Sequence, residues 1–321
     1  MLRSQGRGAL VALARAKQFI PFTERNNIME FIISKGATQA KCTSVGGELI
    51  SFVKDGKEYV WYGHAEHWSG QAPCLFPVVC RAKDDCIIID GKTYPMKKHG
   101  FARKVEYTPV EVTPSSVTLR LTESEETKAL YPNDFNLDIT HSVTEDGFTT
   151  EYKVTNRSDK EMIFCIGGHP GFNCPINEGE KFEDYSLVFD NAEGAVAHNC
   201  DLDAGGYMSP DMPALDYIKD GKFDLQYDCF DFDAVVVENL PVKKVNLVNR
   251  STGHGVRFEF DSFDAIGFWT PIKMNSPFIC LEPWNGLPGG LDETSEFTTK
   301  KYAKTIAPGE SFVTSYTATI I

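Results

Sequence analysis

The chain has 321 residues, of which 42% are hydrophobic and 24% charged, and its formal net charge is -13. These proportions are ordinary for a globular protein, and a chain of this length can bury a full core without disulfide bonds. The acidic balance opposes binding to a phosphate backbone, so nucleic acid is not an expected partner. A membrane-spanning helix needs ~20 apolar residues in succession, and the sequence offers no such run, so no membrane partner is expected either.

The first 28 residues differ from the rest of the chain. They carry four basic residues before the first acidic residue, Glu24. Such a stretch is typical of an amphipathic helix or a transit-like peptide. We favour a third interpretation, a mis-called start, because the strand pattern begins at Met29. We therefore expect a leader over 1–28 and a single domain over 29–321.

Beyond the leader, the first strong signals are three hairpins. β-rich runs surround Asp55-Gly56 in 48–63 and Asp90-Gly91 in 86–96. Asp-Gly between such runs predicts a tight hairpin turn, because these residues accept the positive φ that the turn requires. Segment 135–156 alternates apolar and polar residues on both sides of Asp146-Gly147, which predicts a half-buried antiparallel pair.

The later part of the chain continues as short strands. We predict them at about 161–167, 185–190, 233–239, 243–249, 255–260, 265–269, 277–282 and 311–320. Helical turns are expected only near 178–184 and 292–296, besides the leader. Strands do not alternate with long helices, which disfavours a parallel sheet. The prediction is an all-β fold, one large sandwich of curved antiparallel sheets with very little helix.

The nine cysteines are an odd number, and no two of them have C-x-x-C spacing. This pattern indicates free thiols in a reducing cytoplasm rather than a disulfide framework or a zinc knuckle. His64 and His67 form H-x-x-H on a predicted loop without further ligands at suitable spacing, so we predict no metal site there. Nucleotide-binding, esterase and metalloprotease motifs are not found in the sequence.

Two segments carry titratable residues at the ends of apolar runs. His169 lies between Gly167-Gly168 and Pro170-Gly171, on a stiff turn where it could reach a pocket and exchange a proton near neutral pH. The alternative is a turn histidine bonded to backbone. Glu282 ends an apolar run, so loss of water should raise its pKa and make it a better base. The alternative is a buried ion pair.

Other candidates could bind a polar ligand. Trp284 could offer a flat face to a sugar ring or could be a core residue. Arg81, His99 and Arg103 could donate hydrogen bonds to hydroxyl and ring oxygens. The alternative for each arginine is a surface ion pair, which is the commoner role of a single arginine.

Taken in order, five segments resemble the aldose 1-epimerase (galactose mutarotase-like) family, in its LacX-like branch. They are "APCLFPVVCR" (72–81), "HGFAR" (99–103), "YPNDF" (131–135), "GGHPGFNCP" (167–175) and "LEPWNG" (281–286). The resemblance runs from about Met29 to the C-terminus, and it implies a large β-supersandwich.

The resemblance also implies roles for individual residues. Glu282 matches the family's catalytic base and His169 its general acid. His99, expected near the ring oxygen, and Arg81 match sugar-binding positions. A sugar-binding aspartate precedes a late strand in the family, which here implies Asp233, with Asp231 as the less favoured choice. Cys80 departs from the glycine expected before the arginine, which puts the backbone at Arg81 in question.

The predicted function is aldose 1-epimerase activity on a free hexose, through acid–base ring opening without a metal or other cofactor. Two alternatives stay open. One is a hexose 6-phosphate epimerase, with Lys97, Lys98 and Arg103 as an anion site. The other is a carbohydrate-binding or sensing protein that keeps the fold without catalysis. The expected partner is a small sugar, and the expected state is a monomer or a homodimer.

Overall fold

The computed structural model describes residues 24–25 and 28–321. The predicted leader therefore lies outside the described residues, apart from Ile28 and the short strand Glu24–Arg25. That strand pairs with the strand beginning at Ile28, Glu24 opposite Met29.

Strands dominate the described chain. They are β1 (Glu24–Arg25), β2 (Ile28–Lys35), β3 (Thr38–Thr43), β4 (Leu49–Lys54), β5 (Lys57–Glu58), β6 (Cys74–Leu75), β7 (Cys86–Ile89), β8 (Lys92–Pro95), β9 (Thr108–Val112), β10 (Ser116–Thr122), β11 (Phe135–Val143), β12 (Gly147–Asn156), β13 (Met162–Phe164), β14 (Ile166–Gly168), β15 (Gly171–Asn173), β16 (Tyr185–Phe189), β17 (Val196–Asp201), β18 (Tyr207–Pro213), β19 (Lys222–Asp224), β20 (Val235–Glu238), β21 (Lys244–Asn249), β22 (Gly255–Glu259), β23 (Ala265–Trp269), β24 (Phe278–Asn285), β25 (Lys304–Ile306) and β26 (Ser311–Ile320).

Within residues 24–25 and 28–321, helix is confined to single turns. The α-helix α1 spans Glu125–Lys128, and 3-10 turns occur at Lys83–Asp85, Ala102–Lys104, Phe182–Asp184, Leu215–Tyr217, Tyr227–Phe230 and Phe297–Thr299. In the part of the chain that the structure describes, no helix is long and apolar enough to cross a membrane.

Two large antiparallel sheets form the sandwich. One has nine strands in the order β19-β16-β21-β22-β26-β12-β11-β10-β9. The other has eight: seven follow the order β18-β17-β20-β23-β24-β14-β6, and the eighth, β15, also pairs with β24. Aromatic side chains join the sheets across the core: the ring centroids of Phe258 and Phe172 are 5.9 Å apart, as are those of Phe189 and Phe268. This confirms the predicted all-β sandwich and its antiparallel pairing.

The predicted hairpins are confirmed. Asp55-Gly56 turns between β4 and β5, and Asp90-Gly91 turns between β7 and β8, with positive φ at all four residues. The pair β11–β12 forms as expected, and buried positions alternate along much of both strands.

The helical predictions were less accurate. A turn does form at Phe182–Asp184, but the turn expected near 292–296 lies at Phe297–Thr299. The prediction also missed α1, where the Ser124 hydroxyl accepts a hydrogen bond from the backbone N–H of Thr127 and caps the turn. Ser-x-x-Thr lacks the acidic or amide residue of the usual capping box, so the signal was weak.

The packing between the sheets gives a test of the core. Phe258 is fully buried against Phe172 of the facing sheet and Tyr316 of its own sheet. We expect Phe258→Ala to lower the free energy of unfolding by about 3–5 kcal/mol, because it removes apolar contacts and leaves a cavity. Equilibrium urea denaturation measures this change. Val313→Ala, at a residue that is 47% exposed on β26, is the control and should change stability by less than about 0.5 kcal/mol. Equal losses in the two variants would contradict this description of the core.

Candidate active site

Strand β24 is the central element of the site, and Glu282 lies in its middle. On one side, Gly267 of β23 pairs opposite Glu282. On the other side, β14 and β15 pair with β24 before and after a break at His169-Pro170. The two pairings keep one register, which sets His169 directly opposite Glu282. Side chains directly opposite in neighbouring strands lie on the same face of the sheet.

Two glycines permit this close packing. A Cβ at Gly267 would lie 2.3 Å from the Trp284 ring, and a Cβ at Gly167 would lie 2.8 Å from it. Neither glycine has a positive φ, so their role is close approach rather than an unusual turn. Because these residues lack a side chain, the neighbouring strands β23 and β14 can pack closely against the Trp284 ring.

The His169 and Glu282 side chains are in contact. His169 Nε2 lies 3.2 Å from Glu282 Oε1, and the two residues are 5% and 2% exposed. The other polar atom of each side chain, His169 Nδ1 and Glu282 Oε2, is buried and has no partner among the described residues. Buried polar atoms are nearly always paired, so two unpaired ones on side chains that line a cavity indicate a place for a polar ligand.

Burial shifts the pKa values of both groups toward their neutral forms. It raises the pKa of Glu282 well above its ordinary value, against the opposing charge of Lys98. It lowers the pKa of His169 well below its ordinary value, and the charges of Lys98 and Arg103 lower it further. Strongly shifted neighbouring acids and bases are characteristic of functional sites.

His99 is the second histidine of the site. It has φ of 68° and is 4% exposed, and its ring lies 5.4 Å from the His169 ring, edge to face. Its Nδ1 accepts a hydrogen bond from the Cys80 backbone N–H at 3.1 Å, which leaves the proton on Nε2. Burial, together with the charges of His169, Lys98 and Arg103, lowers the pKa of His99 well below its usual range. His99 is therefore a neutral donor through Nε2.

Asp233 and Lys98 form an ion pair at the cavity wall. Lys98 Nζ lies 3.2 Å from Asp233 Oδ2, and the Trp269 indole N–H donates to Asp233 Oδ1 at 2.7 Å. Asp233 lines the cavity, whereas Asp231 does not. Of the two aspartates considered, the structure therefore brings the favoured one, Asp233, to the other site residues.

Aromatic rings form another wall. The Trp68 ring stacks on the His169 ring at 4.8 Å, and Trp269 meets Trp68 edge to face at 5.6 Å. Trp284, which could have offered a flat face to a sugar, is fully buried, and its edge packs among the glycines instead. Its indole N–H lies near Glu282 and lowers the pKa of that carboxyl, although it makes no hydrogen bond of ordinary geometry. Trp68 and Trp269 are the partly exposed aromatic residues of the cavity lining, and sequence reasoning missed both.

The two arginines lie at different places. Arg103 lines the cavity, where one Nη donates to the Lys98 carbonyl oxygen at 3.2 Å and its buried Nε is unpaired among the described residues. Arg81 lies in an adjoining cleft of about 440 Å³ and forms a two-point ion pair with Asp85, both contacts 2.7 Å long. Arg81 does not line the cavity that holds His169 and Glu282, so its contact with a sugar stays a prediction.

Cys80 takes the positive φ that a glycine would adopt, 53°. The backbone before Arg81 is thus left-handed despite the departure from glycine. The His99 backbone N–H donates to the Cys80 carbonyl oxygen at 2.8 Å, and Cys80 N–H donates to the His99 ring. These two reciprocal bonds stabilise the conformation of both residues.

The cavity has a volume of about 190 Å³. Eleven residues line it: Trp68, Cys80, Lys98, His99, Arg103, His169, Asp233, Ala234, Trp269, Glu282 and Trp284. It is smaller than the ~300–1,000 Å³ of sites for drug-sized ligands, so it suits a small polar molecule. Two larger clefts in the described chain, of about 450 and 740 Å³, have no histidine in their linings.

Potential metal ligands differ in their surroundings. His64 is exposed and His67 contacts the Ser276 hydroxyl at 3.0 Å, so the H-x-x-H residues point to different partners. His169, Cys280 and Glu282 have donor atoms within 4.8 Å of one another, and all three are buried.

Sequence comparison identifies relatives over most of the chain. The profile of the family described as "Aldose 1-epimerase" matches residues 29–305. The plasmid-encoded protein LacX of Lactococcus lactis subsp. lactis is 36% identical over 286 residues, covering 87% of this chain and 95% of the relative.

Solved structures extend the agreement to the fold. A galactose mutarotase-like protein from Lactobacillus casei is 28% identical with a TM-score of 0.85, covering 91% of this chain and 100% of the other. A galactose mutarotase related enzyme from Lactobacillus acidophilus is also 28% identical, with a TM-score of 0.84 and coverage of 91% and 97%. Because the family profile spans most of the chain and LacX is similar over nearly its whole length, this protein belongs to the aldose 1-epimerase family, in its LacX-like branch.

Proposed function

We propose that the protein interconverts the α and β anomers of a free hexose. Membership of the aldose 1-epimerase family supports an isomerase that acts on carbohydrates. The observation that carries the finer proposal is the buried contact between His169 and Glu282, 3.2 Å long, at the wall of a small polar cavity. An acid and a base side by side match the substrate, because the anomeric hydroxyl and the ring oxygen are bonded to the same carbon.

In the proposed reaction, Glu282 removes the proton of the anomeric hydroxyl and His169 donates a proton to the ring oxygen. The C1–O5 bond breaks as the C1–O1 bond becomes a carbonyl, giving the open-chain aldehyde. Rotation about the C1–C2 bond then presents the other face of the carbonyl, and the steps reverse. Each positioned proton-transfer group contributes roughly 10²–10⁴-fold to the rate.

The pair must carry one proton for this reaction, and that proton must be on His169. Burial favours the proton on Glu282 in the empty cavity, because two neutral groups lose less hydration energy than two ions. The polar hydroxyls of a bound sugar would replace lost water around both groups and would bring the ionic form closer in energy. His99 Nε2–H and Asp233 line the same cavity and are suited to hold sugar oxygens.

We also propose a reducing, cytoplasmic location. All nine cysteines are free thiols, and seven of them are buried. Such thiols are usual where the compartment keeps cysteine reduced.

The first test removes each proton-transfer group. We expect Glu282→Gln and His169→Asn each to reduce the enzymatic mutarotation rate by about 10²–10⁴-fold, measured by polarimetry on freshly dissolved anomers. Glu238→Gln is the matched control, because Glu238 is a buried carboxylate that pairs with Lys301 away from the cavity. Full activity in either site variant would refute the assignment. Sugar binding by the wild type without any acceleration would instead support a carbohydrate-binding protein.

The second test uses the charge of Lys98. Burial is the main cause of the shifted pKa values of Glu282 and His169, and the Lys98 cation lowers both. The rate should be bell-shaped in pH, because activity needs the singly protonated pair. Removing the cation favours proton binding at both groups, so Lys98→Met should move both limbs of the kcat/KM profile to higher pH, by up to about one unit. Lys97→Met is the control, because Lys97 is exposed and does not line the cavity, and it should leave both limbs of the profile in place. A shift of the limbs to lower pH in Lys98→Met would contradict the predicted direction of the effect.

The third test concerns substrate charge. Two of the cations near the cavity are paired with carboxylates, Lys98 with Asp233 and Arg81 with Asp85. This leaves Arg103, which donates to a carbonyl oxygen, as the one cation of the three to face a phosphate with a charge near -2. A phosphate would need a free cation to offset its lost hydration. We expect kcat/KM for a free hexose to exceed that for its 6-phosphate by at least about tenfold, equal to about 1.4 kcal/mol. The reverse preference would select the sugar-phosphate alternative.

A further inference from the structure

A third donor lies beside the His169–Glu282 pair. Residues 278, 280, 282 and 284 of β24 share one face of the strand, because side chains alternate. Cys280 is therefore on the same face as Glu282, packed with Trp61 and Phe278 in a small aromatic cluster separate from the main core. Its Sγ, one ring nitrogen of His169 and a carboxylate oxygen of Glu282 all lie within 4.8 Å of one another.

The polar atoms around this point are not satisfied. Glu282 Oε2 and His169 Nδ1 are buried and have no hydrogen-bond partner among the described residues. Both side chains are more than nine-tenths buried. Burial of a carboxylate with an unpaired oxygen costs free energy, and a cation bound by either oxygen of Glu282 would offset part of that cost.

We propose that Cys280, His169 and Glu282 form a binding site for a thiophilic divalent cation, Zn²⁺ being the best match, and that the bound ion blocks the proton-transfer pair. The proposed binding of the ion depends only on the three donor residues. The inhibitory half rests on the proposed function, because it assumes that His169 and Glu282 transfer the protons.

The spacing suits zinc. Zn–N and Zn–O bonds are about 2.0–2.2 Å and Zn–S about 2.3 Å, so donors on one tetrahedral ion are roughly 3.3–3.6 Å apart. His169 Nε2 and Glu282 Oε1, at 3.2 Å, are within about 0.1 Å of this range. The donor atoms now lie within 4.8 Å of one another, so the sulfur needs to move by no more than about 1.5 Å to reach this spacing. The thiol proton and any proton between the other two groups pass to solvent, and the fourth position is left for water from the cavity.

The donor set also predicts selectivity. A thiolate and an imidazole favour Zn²⁺ and Co²⁺ over Mg²⁺ and Ca²⁺, which prefer oxygen ligands alone. With three protein ligands and one open position, the ion would occupy both groups that the proposed reaction needs. Micromolar Zn²⁺ should therefore inhibit, while millimolar Mg²⁺ should not.

Binding is tested without any assay of activity. Wild-type protein is titrated with Co²⁺ and followed by the near-ultraviolet sulfur-to-cobalt charge-transfer band. We expect a band of one-to-one stoichiometry that Zn²⁺ displaces and that Cys280→Ser lacks. The affinity should fall at least about 100-fold in that variant, since loss of a second-shell partner alone costs roughly 10–100-fold. Cys86→Ser and Cys229→Ser, at the more exposed thiols, are the controls and should keep the band.

Two results would overturn the site: no charge-transfer band in folded wild-type protein, or an unchanged band in Cys280→Ser. Cys280→Ala provides a second variant, and thermal melting establishes that each variant is folded. Inhibition is measured as the mutarotation rate of each protein with Zn²⁺ relative to its own rate without metal. Zn²⁺ should lower this rate in the wild type and leave it unchanged in Cys280→Ser. A protein that binds Co²⁺ through Cys280 but never accelerates mutarotation would keep the site and refute the proposed function, so the two failures are distinguishable.

Discussion

The contact between His169 and Glu282 is the constraint on which the rest of the site depends. Both side chains are almost fully buried, yet each has a polar atom without a partner. Placing an imidazole and a carboxyl so far from water costs free energy, and the surrounding strands must provide the rigidity that maintains the contact. The pairing of β24 with β23 on one side, and with β14 and β15 in one register across the break at His169-Pro170 on the other, supplies it.

That same burial connects the fold to the proposed chemistry. Loss of water raises the pKa of Glu282 and lowers that of His169, which favours the proton on Glu282 while the cavity is empty. Such a pair can give and take protons at neutral pH without a large change in net charge. The Lys98 cation lowers the pKa of both groups, and its ion pair with Asp233 weakens that effect. The proposed zinc site uses the same two side chains, so a bound ion would inhibit the proposed reaction.

Much of this could be predicted from local sequence. The Asp-Gly turns, the alternation in 135–156 and the apolar run before Glu282 are local signals, and each depends on neighbours only a few residues away. The aromatic wall gave no such signal. Trp68 lies in an irregular segment and Trp269 at the end of a strand, and neither position has a periodicity that indicates exposure to a cavity. Trp284, adjacent to the Glu282 motif, was the more obvious candidate and is buried.

The sequence by itself determined the all-β class, the positions of the hairpins and, through ordered motifs, the family, and it predicted the acid and base roles that the proposed function assigns to His169 and Glu282. Only the tertiary structure decided that His169 is directly opposite Glu282, because strand register depends on pairing between segments more than a hundred residues apart. It also decided that Asp233 rather than Asp231 lines the cavity, and that Arg81 lies outside it, paired with Asp85. These outcomes depend on which side chains share a face and which charges meet, and a linear sequence does not contain that information locally.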